Sequence, residues 1–258
     1  MSLVLENQIN SKGLREQVAD ILRTAIFEGK FKPGELLKDS ALATQFKISR
    51  SPVREALLQL EKESLVRNFH NRGWYVIELT LAEISEIVGM RVVLEVLALK
   101  LAARNMKKKE LERLSVIQEN LMQAFWREDW KNAMCDVVKM DFEFHHYIWK
   151  ISNHHLLEET LVRTTRPYFA YMQAIIRSMV SSPEQYREQH EAGYRTHESL
   201  INYLVKPGEL SPELCVCQHL LAPSMIEGWD HLVRHLPSEI VGEVPQSTAN
   251  TLGPSDNP

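Results

Sequence analysis

Cysteine is scarce: three residues in 258, at Cys135, Cys215 and Cys217. The count is odd, and a C-x-C pair without any C-x-x-C indicates neither a disulfide framework nor a thiolate zinc cluster. No stretch approaches the roughly 18 to 20 uncharged apolar residues that a membrane span needs. Met1 to Ser11 lacks the basic region, apolar stretch and small-residue cleavage site of a secretory signal, so a cytoplasmic chain with no membrane role is expected. Glycine (10) and proline (11) are few, while 44% of residues are hydrophobic and the formal net charge is only -4. That balance excludes wholesale disorder and leaves ample core for one or two domains.

Charge of either sign is modest overall but unevenly placed. Residues 1 to 78 hold 12 Lys and Arg against 10 acids, and residues 79 to 258 hold 18 against 24. A net +2 segment on a net -6 body is permissive of a module that meets a polyanion.

Three signals organise the first 78 residues. Leu14, Val18, Ile21, Leu22, Ala25 and Ile26 have helical spacing, with Gly29 as a stop. A short periodic segment around Ala41, Leu42, Ala43 and Phe46 is followed by Lys47-Ile48-Ser49 and a second run, Val53, Ala56, Leu57 and Leu60. Ser49 is a natural N-cap and Pro52 is tolerated in the first turn, where amide donors have no intrahelical partner. Leu65-Val66-Arg67 and Trp74-Tyr75-Val76-Ile77 then read as strands joined by the polar connection Asn68 to Gly73. The pattern predicts a winged helix-turn-helix. In such a module the start of the second helix enters the major groove, where arginine donates two hydrogen bonds to guanine. Arg50 and Arg54 are so placed, Ser49 and Ser51 can meet phosphates, and His70, Asn71, Arg72 and Gly73 form the wing tip. Each arginine taken alone would be an ordinary solvated side chain.

Pro33-Gly34, Leu42-Ala43, Ser49-Arg50-Ser51-Pro52-Val53-Arg54-Glu55-Ala56-Leu57, Leu60-Glu61 and Leu65-Val66 together resemble the N-terminal signature of the GntR family of bacterial transcription regulators. The likeness spans about 65 residues and implies sequence-specific DNA binding. Ser64 and Lys47 stand where that family commonly has glycine, and Ser40 where arginine is frequent.

From Thr80 the pattern is helical, opening on the capping box Thr80-Leu81-Ala82-Glu83. Helices are expected over about 80–105, 109–127, 129–151, 154–181, 183–205 and 211–235, with Ser182-Pro183 and Ser211-Pro212 marking the last two starts. The fold class is therefore mainly α: an N-terminal winged helix-turn-helix, residues 1–78, then an all-α antiparallel bundle of about six helices, residues 79–236. Residues 237–258 hold too little apolar surface to offset ordering entropy and read as a disordered tail.

Polar residues interrupt the bundle's apolar faces. Met134, Val137, Val138, Asp141, His145 and Ile148 share one stripe, so Asp141 and His145 converge at i and i+4. His197 lies eight residues before the end of the fifth helix and His219 eight after the start of the sixth, so an antiparallel hairpin brings them level. A carboxylate and three imidazoles suit Zn, Ni, Mn or Fe, with positions left for a ligand's oxygens. A single buried histidine would more simply be hydrogen-bonded scaffold, and His190 is read that way. Arg91 and Glu95 form either a buried ion pair or, through Arg91, an anchor for an anionic effector; Arg163, Arg166 and Arg195 are weaker candidates.

Arg91-x-x-Leu94-Glu95, Ala102-Ala103, Asp141-x-x-x-His145, Asn153-x-x-Leu156, His197 and His219 resemble the FCD-type effector domain that follows the winged helix in one GntR subfamily, here over roughly residues 80 to 236. The six-helix VanR-like group fits the helix count. Metal-binding members hold the ion with one aspartate and three histidines, which the resemblance carries to Asp141, His145, His197 and His219. Pro223, four residues after His219, departs from a regular helix.

The expectation is a ligand-responsive transcription regulator, a repressor rather than an enzyme. It binds a palindromic operator in double-stranded DNA as a homodimer and answers to a small organic acid effector at a divalent metal site. Two other readings stay open: a metal-dependent hydrolase or lyase with a DNA-binding appendage, for which no general base or nucleophile motif is found, and a regulator whose metal is purely structural.

Overall fold

The computed structural model describes residues 13–221, apart from the side chains of residues 178, 179, 189, 190 and 192. Pro223, the expected tail, the last helix beyond Leu220 and the His190 side chain therefore lie outside the described residues. Helix α1, Leu14–Phe27, buries Val18, Ala19, Leu22, Ala25 and Ile26. It stops as its sequence predicts: Gly29 takes φ +61, and Lys30 N reaches back to Ala25 O at 2.9 Å, closing the last turn.

Helices α2, Asp39–Phe46, and α3, Arg50–Lys62, follow. They end by the same closure, with Ile48 N on Ala43 O at 3.0 Å and Leu65 N on Leu60 O at 2.9 Å. The turning residues are Lys47, φ 54, and Ser64, φ 57. These are the two positions where the resembled family commonly has glycine. The backbone explains that preference, because a side chain in the left-handed region costs roughly 1 to 2 kcal/mol. Ser49 occupies the N-cap position of α3 with extended backbone, but its hydroxyl makes no capping bond, contrary to expectation.

The wing is a three-stranded antiparallel sheet in the order β1-β3-β2, with β1 Leu36–Leu37, β2 Val66–Phe69 and β3 Gly73–Val76. Register is fixed by Phe69 opposite Gly73 and Leu36 opposite Tyr75. Strand β1 was not expected, since two residues carry no alternation to read. Leu22, Val53, Leu57, Leu60, Leu65, Trp74 and Val76 share the core beneath α3 and the sheet.

Helices α4 (Leu81–Asn105), α5 (Lys108–Phe125), α6 (Trp130–Ile151), α7 (His155–Met179), α8 (Pro183–Arg195), α9 (His197–Val205) and α10 (Pro212–Leu220) complete the described chain. The Thr80 capping box forms, and Ser211 accepts from Leu214 N. Over the described residues all six expected spans are helical, the sixth being described only to Leu221, and the fifth is divided at Thr196. There the hydroxyl donates to Gly193 O, and Ser199 N bonds Thr196 O at 3.1 Å, an i to i+3 contact that tightens the turn. Thr196 thus starts a new helix with His197 as its first residue.

Helix α7 joins the two halves. Ala170 is buried in the winged-helix core, Arg166 Nη1 meets Glu63 Oε2 at 3.2 Å, and Arg177 Nη1 donates to Glu28 O at 3.1 Å. Glu63 is also gripped by Arg23 at 2.6 and 2.7 Å, tying the end of α3 to α1 and α7 at one carboxylate.

Candidate functional site

The DNA-facing candidates cluster around one groove. A concavity of about 660 Å³ lies between α2, α3 and the wing, lined in part by Lys38, Asp39, Arg50, Arg54, Asn71 and Arg72. Arg50 and Arg54 lie one turn apart on α3, with side chains 55% and 58% exposed. Ser49 and Ser51 flank them on the surface, Ser51 Oγ donating to Glu55 at 3.2 Å. His70, Asn71 and Arg72 are exposed at the wing tip, where Asn71, φ 61, and Gly73, φ 98, turn the hairpin. Gly73 has a second reason to be glycine: a Cβ there would meet Leu36 Cδ1 at 3.1 Å. The residue that sequence reasoning missed is Asp39, whose carboxylate accepts from both arginines.

In the bundle, Asp141 and His145 from α6, His197 from α9 and His219 from α10 offer ligand atoms that all lie within 4.8 Å of one another. The i, i+4 stripe and the antiparallel hairpin each do what their spacing predicts. Phe144 stacks on the buried His197 ring with centroids 4.1 Å apart.

The outer hydrogen bonds assign the imidazole protons. Gln118 Nε2 donates to Tyr194 O, a carbonyl that can only accept, so Gln118 Oε1 faces His197 Nδ1 at 2.8 Å and receives its proton. Thr196 has given its hydroxyl proton to Gly193 O, so it accepts from His219 Nδ1 at 2.8 Å. Glu95 accepts from His145 Nδ1 at 2.9 Å and from Arg91 Nε at 2.7 Å. All three Nδ1 atoms therefore point outward with their protons engaged, and the three Nε2 atoms turn inward.

Inside, the three Nε2 atoms and the Asp141 carboxylate face one another. Burial pushes His197 below the ordinary histidine range and His219 well below it, which keeps both rings neutral. His197 Nε2 lies 3.1 Å from Asp141 Oδ1, yet both buried atoms lack a hydrogen-bond partner. Burial works to raise Asp141, but it is held below the usual carboxylate value, and the nearby Arg91 guanidinium is a charge that acts in that direction. His145 Nε2 and His219 Nε2 approach to 2.8 Å. Three imidazole nitrogens and a carboxylate oxygen thus converge, and two of the four atoms, Asp141 Oδ1 and His197 Nε2, are buried without a hydrogen bond, which is the electron-pair set a divalent cation would satisfy. The donor set of nitrogen and carboxylate oxygen suits Zn, Ni, Mn or Fe.

Arg91 is 4% exposed and sits beside this cluster, its guanidinium 5.3 Å from the Tyr168 ring and 5.1 Å from Phe169. Burial would raise Glu95, but Arg91 and then His145 bring its carboxyl down to about 2. The i, i+4 ion pair is thus real and is also the outer support of a candidate ligand. Arg166 is drawn off to Glu63 and Arg195 to Glu191, so neither joins Arg91. Sequence reasoning missed Gln118 and Thr196 as supports; a glutamine on the apolar stripe of Leu114, Ile117 and Leu121 was the available signal for the first.

Residues 14–76 match the gntR family of bacterial regulatory proteins, and residues 86–203 match the FCD domain. An uncharacterised helix-turn-helix transcriptional regulator of Bacillus subtilis, YdhC, is 32% identical over 142 residues, 54% of this chain and 61% of that protein. The match thus spans less than two thirds of that relative's length. The transcriptional repressor RspR of Escherichia coli is 27% identical over 191 residues, 73% of this chain and 81% of that one. The solved structure of E. coli McbR/YncC superposes with a TM-score of 0.67 at 23% identity, over 87% of this chain and 99% of that chain, which bears on the fold. Among the described residues no helix is long and apolar enough to cross a membrane. The domains and relatives are those of transcriptional regulators, not enzymes. The chain thus carries the gntR-family domain of bacterial regulatory proteins over residues 14–76, followed by an FCD domain over residues 86–203.

Proposed function

We propose that this regulator is a repressor whose operator binding is set by a small organic acid at a metal centre formed by Asp141, His145, His197 and His219. The observation that carries the reading is the convergence of three outward-anchored imidazoles and the Asp141 carboxylate, their ligand atoms within 4.8 Å of one another and two of them, Asp141 Oδ1 and His197 Nε2, buried without a hydrogen bond. A divalent cation held by these four residues supplies a Lewis-acidic contact for carboxylate oxygens. Arg91 supplies the complementary cation beside them, and Glu95 keeps that guanidinium oriented. RspR is named a repressor, which supports the sign of the regulation.

Helix α7 gives the chain a mechanical route between the halves. Phe169 borders His145, with ring centroids 6.3 Å apart, and lies under Arg91. Neighbouring residues of the same helix, Arg166 and Ala170, sit in the winged-helix seam. An acid that repositions Arg91 and Phe169 favours one placement of the seam over another, and this differential affinity is what couples it to DNA. Residues 1–78 would read the operator through Ser49, Arg50, Ser51, Arg54 and the wing residues His70 to Gly73, while residues 79–236 bind effector and dimerise. Met90, Val93 and Leu97 form an apolar stripe on α4, 48%, 52% and 44% exposed, which a second copy of the chain would cover. Two copies then read two half-sites of a palindrome.

The test is an anisotropy titration of a duplex selected from a randomised library by the unaltered protein. Arg50→Ala with Arg54→Ala is expected to remove sequence-selective binding while circular dichroism stays unchanged. In the metal-loaded protein one member of a carboxylate panel is expected to weaken binding, and Arg91→Leu to lose that response. Retained selectivity in the double variant overturns the DNA-reading assignment, and a panel with no effect overturns effector control in favour of a structural metal.

A further inference from the structure

A carboxylate stands where DNA phosphates are expected. Of the charged residues lining the groove beside α3, Lys38, Arg50, Arg54 and Arg72 are cationic and Asp39 alone is acidic. It is the first residue of α2, with a side chain only 15% exposed. Both of its oxygens accept from Arg50 Nη2, at 2.9 and 3.0 Å, and Oδ2 also accepts from Arg54 Nε at 2.5 Å. Burial works against its charge, but the two guanidiniums hold its carboxyl below the ordinary range.

The consequence is orientation. Arg50 and Arg54 are like charges at i and i+4, which repel and would otherwise sample many rotamers. Asp39 grips Arg54 by Nε alone and leaves its two terminal nitrogens without a partner among the described residues. That terminal pair is a fork matched to guanine O6 and N7. Neutralising part of the positive charge also weakens the sequence-independent attraction to phosphate, the term that scales with cation count.

We infer that Asp39 is a specificity-determining residue: its carboxylate aligns Arg50 and Arg54 for base edges and holds them away from phosphates. The inference rests on the reading of α3 as the DNA-reading helix. A carboxylate at a helix N-terminus also favours the helix dipole, and that role alone would alter stability without altering selectivity.

The experiment compares the unaltered chain, Asp39→Asn, Asp39→Glu and the Arg50→Ala/Arg54→Ala double variant. Each is titrated by anisotropy against the library-selected duplex and a scrambled duplex of equal composition, between 50 and 200 mM salt. Asp39→Asn is expected to bind the scrambled duplex more tightly, to steepen its log K against log salt slope by about 0.9, and to lower the selected-to-scrambled ratio by about tenfold. Asp39→Glu restores most of the ratio. If Asp39→Asn moves both duplexes equally, Asp39 is a helix-end residue only and the inference is overturned. If the double-arginine variant keeps the ratio, the α3 reading itself falls and takes the inference with it.

Discussion

Replacing Glu95 with glutamine removes a charge shared by two buried groups. The Arg91 and Glu95 side chains are 5% and 6% exposed, and Glu95 accepts from Arg91 Nε on one oxygen and from His145 Nδ1 on the other. Glutamine has one acceptor and one donor, so it satisfies one partner and turns N–H onto N–H at the other, beside an uncompensated guanidinium. Removing one member of a buried pair costs about 3 to 5 kcal/mol. A second route agrees: Glu95 is held near 2 against an ordinary 4.5, and 1.36 kcal/mol per pKa unit makes the difference roughly 3 kcal/mol. Because the folded-state value is the lower one, this stabilisation is complete above the unfolded value and is lost as pH falls from about 4.5 towards 2. Thermal unfolding of chelator-treated protein at pH 7 is expected to show Glu95→Gln lower by roughly 6 to 20 °C, a gap that narrows below about pH 4.5. Arg91→Met with Glu95→Leu recovers part of the loss, since a matched apolar pair leaves no buried charge but leaves the His145 Nδ1 proton without its acceptor. A Glu95→Gln midpoint within about 1 °C of the unaltered chain would refute this accounting.

Ser64→Gly relieves a left-handed side chain and is expected to be neutral or stabilising by up to about 1 kcal/mol, where glycine ordinarily costs 0.5 to 1 kcal/mol; a loss above about 1 kcal/mol in urea unfolding would contradict it. Val93→Glu with Leu97→Glu places two charges on the exposed α4 stripe and is expected to shift the chain from dimer to monomer in sedimentation velocity with its fold retained; an unchanged sedimentation coefficient excludes that face. Gln118→Leu removes the acceptor that sets the His197 tautomer and is expected to weaken metal affinity about 10- to 100-fold, and unaltered affinity by isothermal titration would count against the proton assignment.

The sequence was legible where a signal is local. Asp141 and His145 sit one turn apart on an apolar stripe, and Ser211-Pro212, Thr80-Glu83 and Gly29 mark helix ends by chemistry confined to a few residues. What escaped depends on partners distant in the chain. Gln118 supports His197 across 79 positions, and Thr196 supports His219 across 23. The same threonine divides α8 from α9 although apolar spacing runs through it, because its hydroxyl competes for Gly193 O. Asp39 escaped for a related reason: nothing between residues 39 and 54 announces that α2 and α3 pack so that one carboxylate reaches two arginines. Lys47 and Ser64 were noticed as departures from glycine, but only their φ angles explain why glycine is favoured there.

The measurement that bears most directly on the metal centre is the thermal midpoint of chelator-stripped protein with Zn, Ni or Mn added back, beside His197→Ala. At 100 times the dissociation constant, binding stabilises the folded state by about 2.7 kcal/mol, a rise of roughly 5 to 10 °C. That rise is expected for the unaltered chain and none for His197→Ala. Equal responses in both proteins, or no response to any of the three ions, would contradict the proposed centre.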